Sequence, residues 1–117
     1  MLNIKEINVL LQIIKRCSRI RSKTNDLCFE NFCLDEDVKE IVCFNIFQIG
    51  ELVNNFSETF VNNYNLIPWK NIKGMRNRIV HGYDTIKLNF VWYVAIYDII
   101  ELENYCHEIL EKEKINI

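Results

Sequence analysis

The sequence contains few residues that turn a chain, with 3 glycines and 1 proline among 117 residues. β-Sandwiches and β-barrels need many tight turns, so this scarcity argues against both. The sequence also lacks an uncharged apolar run of about 18 residues, and we therefore expect no membrane span. Its amino terminus lacks the charged-then-apolar order of a secretion signal, which predicts an intracellular protein.

The cysteines do not form a recognisable pairing or metal-binding pattern. There are 5 of them, an odd number, and no two are spaced as C-x-x-C. A secreted disulfide scaffold favours an even number, and structural zinc sites commonly use the C-x-x-C spacing. Cys17, Cys43 and Cys106 lie among apolar residues, where free cysteine behaves as a small hydrophobe. We expect reduced thiols in a cytoplasmic protein without metal or cofactor.

The sequence does contain apolar residues spaced three and four apart along most of its length, which is typical of helices. This spacing predicts a first helix ending before Asn25, a second running from Asp35 to Phe60, and a short third between Pro68 and Gly82. A fourth helix is predicted to start near Asn89. We predict one all-α domain over residues 1–117, an up-down bundle of three long helices and one short helix.

The last predicted helix carries more aromatic side chains than a small bundle can easily bury. Phe90, Trp92, Tyr93 and Tyr97 lie within eight positions of one another. Because exposed apolar patches usually mark interfaces, we expect the chain to form a homodimer.

Positive charge is concentrated in two blocks, although the chain has a net charge of −2. The first 26 residues contain six cations and two carboxylates, and residues 68–87 contain five cations and one carboxylate. A protein that binds nucleic acid by nonspecific attraction is normally basic overall. Any such contact is therefore expected at a local patch.

The second basic block contains the side chains best suited to chemistry. Histidine titrates near pH 6.5, so His81 can take a proton from a ribose 2′-OH or give one to a leaving oxygen. The guanidinium of Arg76 matches a phosphate bidentately. On an ideal helix these two residues lie about 140° apart, whereas Asn77 and Arg78 share a face with His81. Lys73 and Arg78 add positive charge for RNA.

Spacing alone favours a structural role for Arg76 and His81, because Arg and His commonly cap carbonyls and pair with carboxylates. However, residues 74–83 (GMRNRIVHGY) resemble the Arg-x4-His-x-Tyr motif of HepT-like toxins, in the HEPN superfamily of helical ribonucleases. Residues 47–52 resemble the helix that precedes this motif, residues 68–72 its entry, and residues 90–92 the segment after it. The resemblance covers about residues 3–112.

The resemblance implies a homodimeric endoribonuclease toxin that cuts RNA without a metal through Arg and His of each subunit. Attack by the ribose 2′-OH would leave a 2′,3′-cyclic phosphate. Arg76 and His81 then form the catalytic pair, and Asn77 supports them. Arg78 departs from the expected pattern, in which this position is uncharged, and it is a candidate for contact with RNA or with a partner.

The resemblance also implies a partner. Similar toxins are encoded beside an MNT-type minimal nucleotidyltransferase antitoxin, in a type VII-like toxin–antitoxin pair. That antitoxin transfers AMP from ATP to the motif tyrosine, here Tyr83. An anionic adenylate at this position would repel RNA phosphates.

Two alternatives use the same surface without catalysis. In the first, the chain is a noncatalytic helical subunit that presents substrates or nucleotides to a nucleotidyltransferase, and Arg76 only binds phosphate. In the second, the chain is a purely structural bundle, and changes at Arg76 and His81 have no consequence for growth or binding.

Overall fold

The computed structural model describes residues 2–80 and 88–113. That part of the chain is helical and contains no strand, which confirms the all-α prediction. Its elements are α1 (Ile4–Thr24), α2 (Phe29–Leu34), α3 (Glu36–Val53), α4 (Glu58–Asn63), α5 (Trp69–Val80), α6 (Leu88–Tyr93), a π-helical turn (Val94–Asp98) and α7 (Ile99–Lys112).

Short polar side chains define where several of these helices begin. Asn3 forms a capping box with Glu6, because its side chain accepts from the Glu6 amide at 2.8 Å while the Glu6 carboxylate accepts from the Asn3 amide at 3.1 Å. Asp35 caps α3 and Ser57 caps α4, each at 3.1 Å. These bonds satisfy amides that have no partner within the helix.

The core lies where α3 packs between α1 and α5, and where α1 packs against α7. Along α1 the stripe of Leu10, Ile13, Cys17 and Ile20 is completely buried. A second apolar stripe lies at the margin of the core, since Ile4 is 77% exposed and Ile7, Leu11 and Ile14 are partly buried. The fully buried stripe of α1 is therefore the face that packs in the core, where α1 contacts α3 and α7.

The prediction that the second helix continues to Phe60 is wrong. Helix α3 ends at Val53, and a separate helix, α4, starts after the Ser57 cap. The apolar spacing persists through the break because Phe56 turns inward, where its ring stacks on Phe60 with centroids 4.0 Å apart. Because both rings are buried, the spacing of apolar residues in the sequence resembles that of one continuous helix.

The short helix α2 is absent from the sequence-based prediction, and it accounts for part of the aromatic excess. Trp92 packs against Phe32 of α2, with ring centroids 5.1 Å apart. Tyr93 and Tyr97 remain 56% and 58% exposed. The last helix starts at Leu88, one residue from the predicted position, and runs through the π-helical turn to Lys112. The homodimer stays a prediction.

The cysteines are all free thiols. Cys17, Cys43 and Cys106 are buried, as the sequence predicts. Burial raises the pKa of Cys43 to about 11 and that of Cys106 to about 12. At neutral pH these side chains are protonated and act as apolar core residues.

Candidate active site

The site is built where α3 and α5 approach most closely. A Cβ atom added to Gly50 would lie 2.5 Å from the Cβ of Arg76, closer than two such atoms can be. Only glycine permits this approach. The contact places the first atoms of the Arg76 side chain directly against α3, so the direction of that side chain is fixed by the packing of the two helices.

Two side chains of α3 hold the guanidinium of Arg76. The Nε of Arg76 forms an ion pair with Oε1 of Glu51, and both atoms are shielded from solvent. The guanidinium carbon lies 5.6 Å from the centre of the Phe47 ring, which is within the range of a cation–π contact. Arg76 is thus oriented by a carboxylate and an aromatic ring one helical turn apart.

The outer end of Arg76 is available for a ligand. Its side chain is 35% exposed, and Nη1 donates to Oδ1 of Asn77 at 3.1 Å. Nη2 makes no hydrogen bond with the residues that the structure describes. With Nε engaged by Glu51, the Nη1–Nη2 edge is the one that can meet a phosphate.

The structure brings together some of the predicted site residues. Asn77 contacts Arg76, as a supporting residue would. Lys73 is exposed one turn earlier on α5, and no ion pair joins it to another described residue. Arg78 belongs to α5, but its side chain lies outside the described part. His81 and Tyr83 lie outside the described residues, so their predicted roles stay predictions.

The residue-by-residue analysis missed Gly50, Glu51 and Phe47, which appear only inside the segment that resembles the family. One signal was available. Gly50 is one of just 3 glycines and lies in the middle of a strong helical pattern. An isolated glycine inside such a pattern costs helix stability and often marks a close approach by another segment.

The opposite side of α5 forms a separate groove of about 520 Å³ against α6 and α7. Its lining includes Phe90, Asp98 and Tyr105 but none of Lys73, Arg76 and Asn77. Burial, and to a smaller extent the nearby Glu101 carboxylate, raises the pKa of Asp98. The Arg76 side chain therefore lies outside this groove, against α3.

The described residues form neither a metal-binding cluster nor a membrane span. Within residues 2–80 and 88–113, no three His, Cys, Asp or Glu side chains are grouped so that they can hold a metal ion. No helix in these same ranges has the length and apolarity needed to cross a bilayer.

Comparison with known proteins identifies the family. The family model described as "Ribonuclease HepT-like" matches residues 13–109. The chain is 31% identical over 105 residues to a "Putative RNase" of Caldanaerobacter subterraneus subsp. tengcongensis, covering 90% of this chain and 94% of that protein. It is 30% identical over 112 residues to a "Putative RNase" of Methanocaldococcus jannaschii, covering 92% and 93%.

A "Probable ribonuclease HepT" of Thermococcus cleftensis is 28% identical over 94 residues, covering 80% of this chain and 86% of that protein. No solved structure matches the chain. The family match spans α3 and α5, the two helices that orient Arg76, and it agrees with the resemblance found in residues 74–83. This chain belongs to the HepT-like ribonuclease family.

Proposed function

We propose that the chain is a metal-independent endoribonuclease in which Arg76 binds the scissile phosphate and His81 transfers protons. The observation that carries this proposal is the arrangement of Arg76, whose Nε is paired with Glu51 while its outer edge remains open. A guanidinium fixed before substrate arrives stabilises developing charge without reorganising. Family membership supports ribonuclease activity.

The reaction proceeds by attack of the ribose 2′-oxygen on the adjacent phosphorus. The 2′-OH proton is removed as the new P–O bond forms, and the bond to the 5′-oxygen breaks. That oxygen leaves with a proton, which gives a 2′,3′-cyclic phosphate and a 5′-OH. His81 is the proton-transfer group, since imidazole exchanges protons near neutral pH. Arg76 neutralises the negative charge of the pentacoordinate state. DNA is not cut, because it lacks the 2′-OH.

Residues near Arg76 and His81 in the sequence are proposed to help bind RNA. Lys73 lies exposed on α5 one turn before Arg76 and supplies positive charge for the RNA backbone. Asn77 keeps Nη1 of Arg76 in place. We assign Arg78 to contact with RNA or with a partner. A second copy of the chain completes the cleft, so the active form is a homodimer.

Regulation follows from the position of Tyr83, two residues after His81. We propose that the chain is the cytoplasmic toxin of a toxin–antitoxin pair, and that an MNT-type nucleotidyltransferase antitoxin transfers AMP from ATP to the Tyr83 hydroxyl. The adenylate adds negative charge two residues from His81, and this charge repels the phosphates of RNA. Mass spectrometry of Tyr83 peptides, after incubation with the neighbouring gene product and ATP, tests this step.

The catalytic proposal is tested with His81→Ala. Loss of a general acid–base group usually costs about 10²–10⁴ in rate, so cleavage of a single-stranded RNA should nearly disappear. The wild-type rate should be unchanged by EDTA, and a DNA strand of the same sequence should remain intact. Expression in cells, with RNA integrity followed over time, gives the matching assay of toxicity.

The noncatalytic alternative makes the opposite prediction. A subunit that only presents nucleotides to a transferase would bind that enzyme tightly and leave RNA intact even as wild type. Equal RNA cleavage by wild type and His81→Ala would show that His81 is not the proton-transfer group. The matched control is His107→Ala, because His107 belongs to α7 and has no part in the proposed site.

A further inference from the structure

A second cationic surface lies between α1 and α3. Helices α1 and α3 border an open groove of about 610 Å³, and its charged lining consists of Lys15, Arg16, Arg19 and Glu40. Lys15 and Arg19 are exposed, and neither pairs with a carboxylate among the described residues. Three cations and one carboxylate leave the groove with net positive charge.

Arg16 is held in this groove much as Arg76 is held in the candidate active site. Its Nη1 donates to Oδ1 of Asn45 at 3.2 Å, and its guanidinium carbon lies 5.6 Å from the centre of the Phe44 ring. Asn45 is itself fixed, because its amide donates to the Ile41 carbonyl at 2.8 Å. The amide oxygen of Asn45 carries no net charge, so it does not offset the positive charge of Arg16.

An aromatic ring is exposed in the same groove. Phe44 is 54% exposed although it lies among the core-forming positions of α3. An apolar ring surrounded by cations is the combination that binds single-stranded nucleic acid, because bases stack on the ring and phosphates meet the charges.

The groove and the candidate active site lie along one stripe of α3. Phe44 and Phe47 are three residues apart, about 4.5 Å along the helix axis, and therefore project from neighbouring positions of the same side. Arg16 of α1 lies over the first ring and Arg76 of α5 lies over the second. A strand bound at Arg76 can therefore continue along α3 into the groove.

We propose that the groove formed by Lys15, Arg16, Arg19 and Phe44 is a second RNA-binding site, which holds the single-stranded substrate next to the cleaved bond. Lys15 and Arg19 contact backbone phosphates, and Phe44 stacks on a base. Lys15 and Ser22 at the two ends of the groove are about 10 Å apart along α1, enough for a short stretch of strand. This inference rests on the proposed ribonuclease function.

The test is binding of the full chain to a short single-stranded oligoribonucleotide whose 2′-O-methyl groups prevent cleavage. In Lys15→Glu/Arg19→Glu the affinity should fall about tenfold or more, and the slope of log K against log salt should shrink by about 1.4 for two lost contacts. The control Lys5→Glu/Lys112→Glu makes the same charge change at exposed positions outside the groove, and it should bind like wild type.

A second pair of variants examines the ring. Phe44→Ala should weaken binding without reducing the salt slope, because stacking does not release counterions. Its control is Leu34→Ala, since Leu34 is 82% exposed and lies away from the groove. Circular dichroism of every variant verifies that the fold is retained.

The remaining outcomes separate this inference from the function on which it rests. If wild type binds and cuts RNA but both double variants bind equally well, the groove is not an RNA site. If wild type neither binds nor cuts RNA, the ribonuclease proposal fails and this inference fails with it. Halving of the mass of Phe44→Ala in light scattering would instead make the groove a contact between two copies. Loss of nucleotidyltransferase binding alone in Lys15→Glu/Arg19→Glu would make it a protein interface.

Discussion

Two arginines lie over phenylalanine rings of α3 at the same distance, and their other partners differ. Arg76 of α5 pairs with the carboxylate of Glu51, whereas Arg16 of α1 hydrogen-bonds to the neutral amide of Asn45. A carboxylate fixes a guanidinium strongly but offsets its charge locally, while an amide fixes it and leaves the charge intact.

The difference indicates a division of work between the two ends of the stripe. Around Arg76, the Glu51 carboxylate fixes the orientation of the guanidinium but offsets its positive charge. This arrangement suits a group that must bind one phosphate in one geometry. Around Arg16, Lys15 and Arg19 add unpaired charge, which suits attraction of a polyanion. We expect the first region to control turnover and the second to control affinity.

The largest expected effect comes from removing each arginine in turn. Arg76→Ala should lower kcat for RNA cleavage by about 10²–10³, the usual cost of one preorganised donor to a developing charge. Arg16→Ala should raise KM about fivefold, because it removes one positive charge from the groove and the cation that lies over the Phe44 ring. Steady-state kinetics on one single-stranded RNA measures both effects. Arg76→Lys should not restore kcat, since an ammonium lacks the planar fork.

The comparison would be wrong if Arg76→Ala changed KM and Arg16→Ala changed kcat. An increase in KM alone for Arg76→Ala would reduce this residue to an affinity contact, as the noncatalytic alternative requires. A loss of kcat in Arg16→Ala would place the groove in the reacting centre itself.

The next effect concerns the helix contact that directs Arg76. Gly50→Ala places a methyl group 2.5 Å from the Arg76 Cβ, so α3 and α5 must separate, and the free energy of unfolding should fall by about 1–3 kcal/mol. Gly74→Ala is the matched control on α5, because an added Cβ there meets no atom within 4 Å. It should raise stability by about 0.5–1 kcal/mol, since alanine favours helix. Urea denaturation measures both changes, and equal signs would contradict the close-contact interpretation.

The fold was largely predictable because its helices follow local rules. Polar residues and three-and-four spacing locate the end of α1, the start of α3 and the start of the last helix within about one residue. The errors arise from tertiary contacts. Phe56 is buried in the turn between α3 and α4, and Phe60 is buried on α4, so periodicity alone joins the two helices. Helix α2 is only six residues long, which leaves too few turns to establish a period.

The sequence predicted only those residues of the described site that belong to α5. Arg76 and Asn77 stand out because they lie in a basic block, and the structure joins them by a hydrogen bond. Glu51 and Phe47 precede them by more than twenty residues, and only the packing of α3 on α5 brings them to Arg76. Sequence spacing describes neighbours on one helix and carries no information about such a contact between helices.

The smallest effect separates the two rings. Phe47→Leu removes the surface over which the Arg76 guanidinium lies, and a cation–π contact of about 0.5–2 kcal/mol predicts a few-fold loss of kcat with little change in KM. Phe44→Leu keeps an apolar side chain but loses the stacking surface, so KM should rise a few-fold at nearly constant kcat. Measuring both parameters for both variants on one RNA provides the comparison. If the two substitutions change the same parameter, the stripe of α3 acts as a single binding surface, and the division between direction and attraction is wrong.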